Sequence, residues 1–363
     1  MTLQNLVILF LILTVVSALS NYLFLIWTRT LGMKNLTPTE SERWSHSYKP
    51  AIGGISFYII FLVSYLVCLF YNNPELSSID ESVHQGVLIV VTLGFFAGLA
   101  DDAFNTIPWL KLGAQIMCGM VLLFFGIQIE FFELVWADAL LTVFWTVAVM
   151  NSINMLDNMD GITATVSVFI LTAACTAPLA PENLFYTCIC GGTVAALVGF
   201  LIFNWHPSRI FMGDTGSQML GALLASIGVL FFWNNENIII EHTWWSKMVI
   251  VATAFIVPIA DSMTVTINRI KRGQSPFVGG KDHTTHHLSY AGLSDSKVAI
   301  VIALISAISS AFIVFISLLQ PEQRSSYFIF LGIYSFLILV LLYGTTVWPK
   351  AKSVFHLKST PTT

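Results

Sequence analysis

The chain has 363 residues, of which 56% are hydrophobic and only 10% charged, with a mean hydropathy of +0.79. Soluble domains carry about 25% charged residues, so composition excludes a soluble globule and gives an all-α, polytopic integral membrane protein. The net charge of −4 decides little, because it averages two faces of opposite character, and nucleic acid is not among the expected partners.

Crossing a ~30 Å hydrocarbon core takes about 20 apolar residues. About eleven such runs follow one another, at approximately 5–27, 52–71, 86–100, 112–128, 134–150, 162–180, 184–203, 216–233, 246–268, 297–319 and 326–348. The first lacks a basic leader and a small-residue cleavage site, so it reads as a span and not a signal peptide. With the amino terminus outside and the carboxyl terminus cytoplasmic, fourteen of the sixteen Lys and Arg fall inside, and only Lys247 and Arg324 fall outside. That asymmetry is the positive-inside pattern. The whole chain, 1–363, reads as one transmembrane domain with cytoplasmic loops at about 28–51, 101–111, 151–161, 204–215 and 269–297 and a tail at about 349–363. Cys68, Cys118, Cys175, Cys188 and Cys190 lie in or beside apolar runs without metal-ligand spacing, as packing thiols do.

Each cytoplasmic loop carries polar groups that a membrane protein has no packing reason to keep. The first holds Arg43, His46 and Lys49 before Gly53 and Gly54; it is either a basic juxtamembrane loop or a phosphate contact. The third run ends with Asp101 and Asp102, whose charge opposes the helix dipole at about 0.3–1 kcal/mol each, so helix stability did not select them. Paired carboxylates there suit a cation or a metal-phosphate site. Lys111 opens the next run, where it either snorkels or meets phosphate.

Asn151, Asn154, Asp157 and Asp160 recur every third residue before Gly161. An α-helix would fan them out and a 3₁₀ turn would align them, so a tightened or broken helix end is expected. The segment 203–221, FNWHPSRIFMGDTGSQMLG, gathers Asn204, His206, Arg209 and Asp214 between two apolar runs; helix capping by Asp214, Thr215 and Ser217 would leave the other three unexplained. In the ninth run Pro258 predicts a kink, and Asp261 lies eight residues below Arg269, a functional candidate or a partner for a neighbouring helix. The loop beyond collects Arg269, Lys271, Arg272, Lys281, His283, His286 and His287. With no cysteine beside them, these donors suit phosphate better than zinc.

Together, DD at 101–102, NxxNxxDxxDG at 151–161, NxxPxxIFMGDxGS at 204–217 and SPF…DxxxHH at 275–287 resemble the polyprenyl-phosphate N-acetylhexosamine-1-phosphate transferases, glycosyltransferase family 4. The likeness runs from about Arg43 to Leu293. The peptidoglycan branch carries PxHHHFE where this chain has DHTTHHL at 282–288, which favours the branch using simpler UDP-N-acetylhexosamines and leaves the counterpart of His283 open.

The resemblance implies transfer of a sugar 1-phosphate, chiefly N-acetylglucosamine 1-phosphate, from a UDP-sugar to undecaprenyl phosphate at the cytoplasmic face of a bacterial inner membrane, with release of UMP. It implies Mg²⁺, or Mn²⁺ in its place, with Asp214 as main ligand and Asn154 contributing a carbonyl oxygen. Asp101, Asp102 and Asp214 form the implied catalytic set, a general-base role for one of the first two staying open. Arg272, His286 and His287 are implied to hold the diphosphate, with Arg269 and Lys111 as outer contacts. Asp157, Asn204 and Phe211 line the nucleoside end; Asp160 and His283 complete the implied substrate-binding residues. Membrane lipid and a second copy, as a homodimer, are further partners. Two other classes stay open at this level: an intramembrane aspartyl protease, suggested by MGDTG at 212–216 but lacking its first glycine, and a secondary transporter.

Overall fold

The computed structural model describes residues 3–30, 49–71, 81–176, 184–235, 238–239, 244–275 and 280–347. Arg43 and His46 lie outside them. Thirteen α-helices follow in order among the described residues: α1 (Leu3–Thr30), α2 (Gly53–Tyr71), α3 (Glu81–Phe104), α4 (Pro108–Phe124), α5 (Val135–Leu156), α6 (Ile162–Thr176), α7 (Leu184–Asn204), α8 (Gly213–Gly228), α9 (Trp244–Ala254), α10 (Ile256–Lys271), α11 (Thr284–Tyr290), α12 (Asp295–Ser317) and α13 (Pro321–Val347). A membrane-spanning chain must satisfy its own backbone, and helices do so within each segment.

Helix α8 is the axis. Every residue from Thr215 to Gly228 is buried, and its run of Gly, Ala and Ser lets α3, α5 and α2 close on it, as small residues do between membrane helices. Leu220, Leu223, Leu224 and Ile227 fill the space that remains. At its far end the backbone loosens into a π-turn, Val229–Trp233, where Trp233 stands edge-on to Trp145 of α5 and Phe131. The outer helices α1 and α13 keep exposed apolar faces, including Leu11, Val15 and Leu19 on the first and Phe336 and Leu341 on the last.

Among the described residues eight helices are long and apolar enough to cross a membrane, and a ninth span is added if α9 and α10 count as one bent pair. The shorter apolar helices α4 and α6, at 17 and 15 residues, rise ~25 and ~22 Å. The run expected at 246–268 is not one straight span. It turns by 87° at Phe255 (φ −105, ψ 24), beside the Ala254 carbonyl that Pro258 leaves without its helical partner, so the expected kink is present and is sharp enough to divide the run into two helices.

A candidate phosphoryl-transfer site

Four helix ends meet around Asp214. Its Oδ2 accepts from Lys111 Nζ at 2.9 Å and its Oδ1 from Asn154 Nδ2 at 2.9 Å. Lys111 also pairs with Asp101, whose Oδ1 accepts from the amide and hydroxyl of Thr106 at 2.9 and 2.5 Å. One ammonium thus bridges two carboxylates brought from α3 and α8. Asp101 is 6% exposed, and a carboxylate that deep needs such partners.

The adjacent aspartate does something different. Asp102 Oδ1 accepts from the amide of Asp214 at 3.0 Å, and its Oδ2 from the amide and hydroxyl of Thr215 at 2.8 and 2.7 Å. The N-cap position of α8 is Met212, which makes no side-chain cap bond, so Asp102 caps α8 from a neighbouring helix and satisfies its orphan amides. Asp214 is therefore not its own cap. Two glycines make this fit: Gly213 has φ +72 and lies where a Cβ would stand 2.6 Å from Asp102 Oδ2, and a Cβ on Gly98 would lie 2.1 Å from the Asp214 carbonyl oxygen.

The every-third-residue series splits up as an α-helix dictates. Helix α5 stays α-helical to Leu156, so the expected 3₁₀ alignment of all four residues does not occur. Asn151 is exposed against Met155, Asn154 reaches Asp214 and Ser217, Asp157 ends the helix, and Gly161 turns the chain at φ +75. Asp160, beyond the turn, binds the 204–212 loop. It accepts from Ser208 N and Oγ at 3.0 and 2.7 Å and contacts His206 Nδ1 at 3.1 Å, with Lys49 at 3.6 Å. Asn204 staples the same two segments, accepting from Gly161 N and donating to the Ile210 carbonyl at 3.0 and 2.9 Å. Phe211 is held between Pro50 and Gly53 by backbone bonds, with the Lys49 ammonium 5.0 Å from its ring centroid.

A second polar cluster forms where α10 meets α11. Asp282 takes Arg269 through Nε and Nη2 at 3.0 and 2.6 Å and Arg272 through Nη2 at 2.5 Å. Burial alone would raise the Asp282 carboxyl; the hydrogen bond and charge of Arg269, with Arg272 behind it, hold it below the usual carboxylate range. Arg269 is 5% exposed and its fork is spent on Asp282, whereas Arg272 is exposed. Burial, with the charge of neighbouring His283, pushes His286 down to about 3, and burial does the same to His287, to about 4. Both are neutral at pH 7, so each ring offers one N–H donor without a charge. Asp261 holds His283 and Thr284, and Thr285 Oγ1 donates to Asn158 Oδ1 at 2.7 Å, tying α11 to the end of α5.

The donor set fits a Mg²⁺ ion, which is bound through one or two carboxylates plus substrate phosphates and keeps most of its waters. Asp214 and Asp101 supply those carboxylates, and Lys111 already shows that the space between them takes a cation. Asn154 fits less well as a ligand: both of its amide hydrogens are used, on Asp214 and Ser217, so nitrogen and not carbonyl oxygen faces the carboxylate. No cluster of three or more His, Cys, Asp or Glu able to hold a metal occurs among the described residues, which leaves the histidine loop without a zinc site there. Thr106, Ser208, Asn158, Thr284 and Thr285 carry bonds that no motif announced; short hydroxyl and amide side chains in loops are common everywhere, so only their partners mark them.

Residues 84–232 match the family model described as Glycosyl transferase family 4. A probable undecaprenyl-phosphate N-acetylglucosaminyl 1-phosphate transferase of Bacillus subtilis is 29% identical over 270 residues, covering 72% of this chain and 71% of that one. The phospho-N-acetylmuramoyl-pentapeptide-transferase of Lactobacillus acidophilus is 26% identical over 293 residues, covering 75% and 85%, and that of Bacillus anthracis is 25% identical over 280 residues.

Proposed function

Residues 84–232 form a glycosyl transferase family 4 segment, and on that premise we propose that this membrane enzyme transfers N-acetylglucosamine 1-phosphate from its UDP-sugar to undecaprenyl phosphate, releasing UMP. The observation that carries the reading is the convergence of Asp101, Lys111, Asn154 and Asp214 from four helices, beside a cluster of arginines and histidines.

The chemistry asks for this arrangement. A phosphate monoester has a second pKa near 6, so the lipid phosphate is already a nucleophile at neutral pH and the obstacle is repulsion. Two unit charges ~4 Å apart repel by about 4 kcal/mol at an effective dielectric of about 20, and each substrate carries more than one. Mg²⁺ held by Asp214 and Asp101 would neutralise part of that charge. Lys111 sits between the two carboxylates and is free to shift toward incoming phosphate. Arg272 and the neutral His286 and His287 supply donors for the diphosphate, while Asp160 and Asn204 keep the 204–212 loop and Phe211 in register for the nucleoside.

We further propose eleven crossings, counting α4 and α6. Their first residues lie at the Asp214 end, and the next helix in each case returns to that end, so each must traverse the bundle. The amino terminus is then outside and the site cytoplasmic, in a bacterial inner membrane.

The decisive experiment incubates purified protein with undecaprenyl phosphate, Mg²⁺ and a panel of UDP-sugars and reads UMP and product mass. UDP-N-acetylglucosamine should give a lipid diphosphate sugar, EDTA should stop the reaction and Mg²⁺ restore it. No UMP from any UDP-sugar would overturn the reading.

A further inference from the structure

Asp261 and His283 form a pair that the chemistry above does not use. Asp261 is 1% exposed, five residues into α10, and all of its partners come from one short stretch of the chain. Its Oδ1 accepts from Thr284 N at 2.8 Å and Thr284 Oγ1 at 2.6 Å, and its Oδ2 meets His283 Nδ1 at 2.8 Å. The backbone bond makes Asp261 the cap of α11, supplied from another helix.

Capping alone is a poor reason to bury a carboxylate. Ser, Thr, Asp and Asn do that work best from the N-cap position itself, and here that position is His283 (φ −72, ψ 157), which makes no side-chain cap bond. The sequence thus forgoes a local cap to keep an imidazole at the mouth of α11, and brings in Asp261 for the amide that imidazole cannot satisfy. A carboxylate on Nδ1 fixes the orientation of the ring, leaving Nε2 for a ligand; among the described residues the ring's other contact is an edge-on one with His286 at 5.3 Å. The surroundings suit an anionic ligand, with the guanidinium groups of Arg269 and Arg272 both brought to the adjacent Asp282. Residues 261 and 283 both lie beyond the segment that matches the family model.

We propose that Asp261 is a positioning residue that locks His283 with its Nε2–H presented to the diphosphate of the UDP-sugar, the ring being protonated on both nitrogens in that complex, while the same carboxylate sets the register of His286 and His287 by capping α11. This rests on the transferase reading above. It gives His283, which stands at the N-cap position of α11 without capping it, a role of its own.

The test is a double-mutant cycle with Asp261→Asn, His283→Ala and the pair, measured as kcat and KM for UDP-N-acetylglucosamine and as melting temperature. Asn keeps an oxygen for the Thr284 amide, so the cap survives while the hold on the imidazole is lost. Each single variant should lose about 10- to 100-fold in kcat, the range typical of partners that orient a reactive group, and the double variant should be no slower than His283→Ala alone. Losses that multiply in the double variant, or an Asp261→Asn protein that melts early but turns over normally, would reduce Asp261 to a cap and overturn the proposal. A readout independent of turnover is ¹⁵N NMR of imidazole-labelled protein with UDP-N-acetylglucosamine bound, which should show His283 protonated on both ring nitrogens, a signal lost in Asp261→Asn. Its absence from the wild-type complex also overturns the proposal, whereas a doubly protonated His283 in a protein that releases no UMP would sink the transferase reading alone.

Discussion

Adjacent aspartates at 101 and 102 have the same chemistry and opposite uses, and the difference lies in what each faces. Asp101 points inward to Lys111 and Thr106, Asp102 across to the first amides of α8. Asp102→Ala should therefore lower stability by about 1 kcal/mol, the usual cost of a lost cap, and lower turnover by letting Asp214 drift; thermal melts and UMP release on the same preparation check both. Full stability with abolished turnover would instead make Asp102 part of the chemistry. Asp214→Ala should abolish turnover, by more than about 10³-fold, in a protein that melts cooperatively; most of the wild-type rate surviving would remove Asp214 from the centre of the site. The sequence made Asp101, Asp102, Asn154 and Asp214 conspicuous because acids and amides are costly between apolar runs. It could not divide the labour among them, since direction depends on helix rotation: three residues on α5 carry the side chain from solvent at Asn151 to Asp214 at Asn154.

At the level of whole elements, the two helices that present the site, α8 and α11, are both capped in trans by an aspartate from the helix beside them. Each docking step thereby also organises the site, which ties folding to function. Gly98→Ala tests this without removing any polar group: the added methyl would meet the Asp214 carbonyl oxygen at 2.1 Å, so α3 and α8 must move apart, and turnover should fall by at least about 10-fold together with the melting temperature. Helix α11 also carries a pH signature. His286 and His287 are held down to about 3 and about 4 by burial, against 6.5 for the free side chain, so between about pH 4 and 6.5 the unfolded chain binds more protons than the folded one. Stability must then rise with pH across that window and be lost as the solution is acidified, with Asp282 adding to the loss at lower pH because its carboxyl is also depressed. Melting temperature should drop steadily from pH 7 to 5, and the drop should flatten in a His286→Asn, His287→Asn variant. A slope unchanged by that double substitution would assign the acid sensitivity elsewhere. Helix positions were legible from apolar runs to within a few residues, and Pro258 announced a bend in the ninth; its size, 87° at Phe255, was not legible, because α9 and α10 are continuous in hydropathy and packing sets the angle.

For the molecule as a whole, the polar motifs had to lie at one end if the odd-numbered connections between spans share a compartment, and their contacts bear this out: residues of the 49–53, 101–111, 154–161, 204–215 and 282–285 segments touch one another directly. Which compartment that end faces is a matter of charge. Lys247 bonds to the Glu130 carbonyl in the connection between α4 and α5, at the opposite end from Asp214, and Arg324 folds onto the Leu319 carbonyl between α12 and α13, whereas Lys49, Lys111, Arg209, Arg269, Lys271 and Arg272 gather with the site. Positive residues stay in the cytoplasm because moving them across an energised membrane is costly, so the Asp214 end should be cytoplasmic. The native cysteines allow a clean test, since four of them are buried and Cys175 is half-buried. Glu133→Cys, exposed at the far end, should react with a membrane-impermeant maleimide in intact spheroplasts, and Gln274→Cys, exposed just beyond α10, should react only after lysis. Labelling in the reverse order would turn the molecule over and remove the site from the side where UDP-sugars are made, and finding both positions on one side would mean that α6, or the bent α9–α10 pair, does not carry the chain across.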